Sequence, residues 1–137
     1  MKAIVLYLVV GALFVYSCET PSGPGNCSDK IAIRVQIEVD PIFSWDPPCE
    51  VDMITVYHHV VSVTGSPTLE PIWTLKAGSL PIATPVTYGI KPEGTTETSA
   101  QPLIEGDEYR VRMDRYIKEM PGFDEIGEVD FVYTITY

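Results

Sequence analysis

From Ile31 onward hydrophobic and polar positions alternate. Ile31, Ile33, Val35, Ile37 and Val39 are apolar, and Ala32, Arg34, Gln36, Glu38 and Asp40 between them are small or polar. A period of two sends the two sets to opposite faces of an extended chain, so this stretch predicts a half-buried β-strand. Further runs rich in β-branched and aromatic residues predict strands over 42–45, 52–63, 72–76, 86–90, 109–116 and 128–137, separated by clusters of Pro and Gly. No segment repeats its apolar residues at helical spacing between capping signals. Seven short strands punctuated by turns predict an all-β domain, a seven-stranded antiparallel sandwich.

Residues 3–16 break that pattern. They form an almost continuous apolar run after Lys2, followed by Ser17 and Cys18. The run is too short to cross roughly 30 Å of hydrocarbon as a helix, so it reads as an export signal that is removed. The chain then divides into a signal peptide (1–17), a flexible tether rich in Pro, Gly and Ser (18–29) and one folded domain (30–137). Val15-Tyr16-Ser17-Cys18 resembles the lipobox of bacterial lipoproteins. That resemblance implies that Cys18 receives a diacylglyceryl group, becomes the first residue and anchors the chain in a membrane of the cell envelope. Glu19, where an Asp would favour inner-membrane retention, leaves outer-membrane delivery open. Val15 and Tyr16 depart from the family's usual Leu and small residue, and ordinary secretory cleavage to an unlipidated, secreted domain is the alternative.

The chain has three cysteines. If Cys18 carries lipid, Cys27 and Cys49 remain as an even pair for a disulfide, as an oxidising compartment favours. Closing that loop stabilises the fold by roughly 3 kcal/mol in the chain-entropy model. The rival reading, a metal site, fits poorly. Two cysteines this far apart with only His58 and His59 to join them match no zinc-ligand spacing, so neither metal nor cofactor is expected.

Leu103-Ile104-Glu105-Gly106-Asp107-Glu108-Tyr109-Arg110-Val111-Arg112-Met113 resembles the tyrosine corner that opens the sixth strand of fibronectin type III domains. Phe43-Ser44-Trp45-Asp46-Pro47-Pro48 is similar to that family's second strand, and Ile54, Val56 and His58 fall where its third strand has core residues. The resemblance implies an immunoglobulin/fibronectin type III-like sandwich, a buried Trp45, and a Tyr109 hydroxyl bonded to the backbone just upstream. The cysteine pair and the long stretch 65–85 depart from the family. In its topology Cys27 and Cys49 share one pole with the 118–127 loop. The opposite pole carries the 65–71 and 91–106 loops and the C-terminus, and is the better place for a binding surface.

Charge narrows the partners. There are 19 acidic and 9 basic side chains, a net charge of −10, and loss of Lys2 with the leader makes the mature chain more negative still. Such a surface repels nucleic acid and anionic lipid headgroups. There is no nucleophile elbow, phosphate-binding loop or HExxH motif. His58 and His59, adjacent on a strand, face opposite ways and cannot hold one ion together. Glu105, Asp107 and Glu108, and likewise Asp124, Glu125, Glu128 and Asp130, read as solvated acidic turns in preference to calcium ligands. Trp73 shares a face with Leu75 and reads as core, with presentation of its ring to a sugar as the lesser reading. Tyr133 and Tyr137 share the odd-numbered face of the last strand and also read as core. The expectation is a membrane-anchored, non-catalytic interaction or structural module whose partner is an envelope protein or glycan. The alternatives are a carbohydrate-binding accessory domain and a small envelope enzyme or inhibitor.

Overall fold

A computed structural model describes residues 25–137. Cys18, the leader and the first part of the tether lie outside the described residues. The domain is an antiparallel β-sandwich of eight strands: β1 (Ala32–Gln36), β2 (Ile42–Asp46), β3 (Met53–Val61), β4 (Pro67–Ala77), β5 (Val86–Thr87), β6 (Thr95–Glu97), β7 (Glu108–Ile117) and β8 (Gly122–Val132). One sheet has the order β1-β2-β5 and the other β6-β4-β3-β7-β8. Two antiparallel sheets in this arrangement are consistent with the immunoglobulin/fibronectin type III-like class, with eight strands where the sequence predicts seven. Among the described residues no helix is long and apolar enough to cross a membrane.

The alternation in β1 is borne out: Ile33 and Val35 turn half-buried toward the core and Ala32, Arg34 and Gln36 outward. β1 nevertheless ends at Gln36, because the chain turns back at once to pair Gln36 with Ile42, and Val39 is left exposed in the turn. The core lies between the inner faces of the sheets. Phe43 and Trp45 of β2 meet Ile54 and Val56 of β3, Trp73 and Leu75 of β4, Tyr109, Val111 and Met113 of β7 and Phe131 of β8. The sheets are joined by a tilted Phe43–Phe131 pair at 5.9 Å and an edge-on Trp73–Tyr88 pair at 5.2 Å. Where β1 crosses β8, Gly127 is required, since a Cβ there would lie 2.9 Å from Ile31 Cγ1.

Three predicted boundaries are corrected. The stretch read mostly as a loop is the first half of an eleven-residue β4, whose residues from Pro67 to Pro71 are exposed and so show no hydrophobic pattern. They are held by the ladder to β3, which carries a bulge between Val56 and Tyr57. β6 has no counterpart among the predicted strands because Thr95-Thr96-Glu97 offers no apolar alternation; pairing with Leu75, Lys76 and Ala77 recruits it. The last strand runs over Gly122–Val132 and not 128–137, because β8 pairs with β7 from the turn onward. Tyr133 is buried as expected, but Tyr137 lies beyond the strand and is fully exposed.

Antiparallel pairing sorts the strand ends into two poles. The N-terminal pole holds the Cys27–Cys49 disulfide, with an S–S distance of 1.99 Å, and the β7–β8 turn. The distal pole holds the β3–β4 turn and the start of β7.

Candidate functional site

The resemblance to a tyrosine corner is met in geometry. The Ile104 N–H donates to the Tyr109 hydroxyl at 2.8 Å. Gly106, at φ 88°, turns the chain into β7 in a conformation that side chains rarely adopt, and its N–H donates to the Tyr133 carbonyl. His58 stacks on the Tyr109 ring at 4.8 Å, and its Nε2 lies 2.8 Å from Asp107 Oδ2. The distal loop is thereby fixed on the core side of β3.

His59 faces the other way, onto the outer surface of the five-stranded sheet, and there the register gathers a charged patch. Tyr57 pairs with Arg110, and Arg110 in turn with Asp130; the same face carries His59 and Glu108. His59, Glu108 and Asp130 each bring one donor atom within 4.8 Å of the others. Arg110 holds the Asp130 carboxylate from both sides, Nε to Oδ1 at 2.7 Å and Nη2 to Oδ2 at 3.1 Å, while His59 Nε2 reaches Oδ1 at 3.3 Å. The hydrogen bonds from Arg110 hold the Asp130 carboxyl below its ordinary range, with His59 adding to the effect. Leu69 pairs with His59 on β4 and is 38% exposed. The result is a distal patch of two acids, a guanidinium and an imidazole on the outer face of the sheet, bordered by Tyr57 and Leu69. A cation seated among the three donors would have to displace Arg110, for which Glu128, 3.9 Å from Nη1, is the neighbouring partner.

The acidic residues that sequence reading grouped into two turns are regrouped by the fold. Asp107 goes to His58, Asp124 to Arg115 at 3.3 Å, Glu125 to Lys30 at 2.9 Å and Asp130 to Arg110. Glu108 and Asp130, from different predicted clusters, meet around His59. Only the strand register brings them together, so no local motif signals the patch. The expected opposition of the two histidines does hold.

Trp73 is fully buried, and its indole N–H donates to Glu97 Oε2 at 2.8 Å. Its ring therefore packs in the core, as the favoured reading of the sequence has it. Trp45 is also core, donating to the Cys49 carbonyl at 2.7 Å. The distal loops form an open depression of about 240 Å³ that includes Tyr88, Ile90, Leu103 and Tyr133. Both tyrosine hydroxyls there already donate to backbone carbonyls, Tyr88 to Gln101 and Tyr133 to Val39. Burial raises the Tyr88 hydroxyl far above its ordinary value.

An ion pair with one buried partner lies further along the same face of the five-stranded sheet. Asp114 is 1% exposed and accepts from Arg112 through Oδ1 alone, while its Oδ2 is buried without a hydrogen-bond partner. Burial raises the Asp114 carboxyl above its ordinary value against the opposing pull of Arg112. No protein-family model, curated protein or solved structure matches this chain.

Proposed function

We propose that this chain is an exported, non-catalytic binding module that meets a protein partner through the outer face of its five-stranded sheet, centred on His59, Glu108, Arg110 and Asp130. The observation that carries this reading is convergence: residues as far apart as His59 and Asp130, 71 positions, share one solvent-facing patch away from the core. Arg and Tyr are the residue types enriched where protein surfaces meet, and an Arg fork beside an exposed Leu offers both directional and apolar contact. The Asp130 carboxylate is held by Arg110 and His59 on the outer face of the sheet, an arrangement suited to recognition more than to proton transfer. Export is supported by the Cys27–Cys49 bridge, which persists in oxidising compartments, and by the apolar leader over residues 3–16. Acylation of Cys18 is part of the proposal, with secretion of the unlipidated domain as the alternative.

Two measurements test it. Intact mass of the mature chain, with and without reduction, separates an acylated start at Cys18 from plain cleavage. For the binding face, a photo-crosslinking residue is placed at Leu69, beside His59, and at Arg34, on the outer side of the other sheet. A discrete protein adduct from position 69 alone, lost on Arg110→Ala, supports the reading. Equal adducts from both positions, or none, sinks it, and binding on a glycan array instead moves the partner class to carbohydrate.

A further inference from the structure

The β7–β8 hairpin carries apolar side chains past the end of its neighbour. The ladder between β3 and β7 stops at Met53 opposite Asp114, whereas β7 and β8 continue through Arg115–Asp124 and Tyr116–Phe123 to Ile117–Gly122. On this overhang Tyr116 and Phe123 form an edge-on pair at 5.6 Å and are 48% and 44% exposed, and Met120 at the turn is 78% exposed. The stem of the overhang is held in place: the Tyr116 N–H donates to Asp52 Oδ2 at 2.6 Å, and Arg115 bonds both the Ser28 carbonyl and Asp124.

The same pole receives the N-terminal chain. The Gly25 carbonyl accepts from the Glu50 N–H at 3.0 Å, Cys27 is bridged to Cys49, and Asn26, Cys27 and Ser28 share a surface depression with Tyr116, Ile117 and Glu119. Cys18 stands seven peptide links before Gly25, so the two lie no more than about 25 Å apart. Anything that holds Cys18 at a bilayer therefore holds this hairpin within reach of it.

We propose that the β7–β8 turn is a lipid contact, with Met120, Tyr116 and Phe123 seated at the boundary between headgroups and acyl chains. The contact draws on the proposed acylation of Cys18 for its local concentration of membrane, and has a readout of its own. The chemistry fits an interface: tyrosine presents an apolar ring and a polar tip, and Lys118 and Glu119 beside Met120 offset one another in charge. The acidic domain is repelled by anionic headgroups, so the surface engaged is zwitterionic, and added anionic lipid weakens the contact at low salt. Docking this turn orients the module. β7 runs from the turn to Glu108, so the distal patch stands about 30 Å along the strand from the lipid.

The test uses the full chain carrying Met120→Trp in phosphatidylcholine vesicles, with the Cys18→Ser chain in buffer as reference. Trp45 and Trp73 are buried and contribute little quenchable background. The expected result is blue-shifted emission from position 120, quenching by shallow bromolipid, and several-fold protection from acrylamide. An acylated chain whose position 120 stays as open to acrylamide as the reference overturns the hairpin contact and leaves the anchor standing. An unacylated mature chain ends the anchor reading. The contact then stands only if that chain floats with phosphatidylcholine vesicles and Met120→Asp lowers its partition about tenfold. Self-association abolished by Met120→Asp, with no lipid quenching, assigns the turn to a second copy and also overturns the proposal.

Discussion

Arg112→Met isolates the buried carboxylate of Asp114. In the parent, Asp114 Oδ1 accepts from Arg112 Nε at 3.0 Å and lies 2.9 Å from the charged Nη2. Removing the guanidinium leaves a carboxylate at 1% exposure with neither contact. Breaking one side of a fully buried pair costs roughly 3–5 kcal/mol. Arg112 itself is 37% exposed, so water already screens part of the pair, and the expected loss at about pH 7 is about 2–3 kcal/mol. Acid reduces it. The Asp114 carboxyl is raised above its ordinary value of 3.8, so as pH falls the folded protein binds that proton before the unfolded chain does, and stability arising from this group increases. Without Arg112 the carboxyl rises further, and the variant recovers its deficit as pH falls through that higher value. Urea unfolding followed by the fluorescence of buried Trp45 and Trp73 reads this directly. The deficit should fall by about half or more between about pH 7 and about pH 4.5, and Arg112→Met should cost little in an Asp114→Asn background. A deficit that is equal at both pH values would refute the argument that the stranded charge, and not lost packing of the arginine stem, sets the cost.

Other consequences are as direct. Reducing the disulfide, or replacing both Cys27 and Cys49 by Ser, should cost about 3 kcal/mol by the chain-entropy argument, lowering Tm by roughly 10–15 °C in calorimetry of a domain this size. Tyr109→Phe should cost about 1–2 kcal/mol because the Ile104 N–H loses its acceptor. Hydrogen exchange should show the Ile104 amide losing far more protection than the β3 amides; uniform loss would point to packing instead. Asp130→Asn should destabilise most at neutral pH. The Arg110 contacts depress the Asp130 carboxyl below 3.8, so their stabilisation is present above that value and lost as pH falls through the depressed one, and variant and parent converge in acid titrations.

The sequence by itself determined the class of fold. Alternation in β1, the Trp45 strand and the run into Tyr109 are local patterns, and each reports which face of an extended chain is dry. The Cys27–Cys49 pairing was legible only through the lipobox resemblance, which sets Cys18 aside and leaves two cysteines. Tertiary structure decided what alternation cannot encode. The exposed half of β4 and the polar β6 are strands only because neighbouring strands supply their hydrogen bonds. The patch at His59, Glu108 and Asp130 exists only through the register of β3, β7 and β8, which joins residues that sequence places in separate acidic turns. Trp73 shows the same division: sequence placed it on a face with Leu75, while its complete burial depends on Tyr88 and on Glu97 of β6. Local chemistry writes which side of a strand is buried. Which strands lie side by side, and so which side chains meet, is settled by long-range pairing and packing of the whole domain.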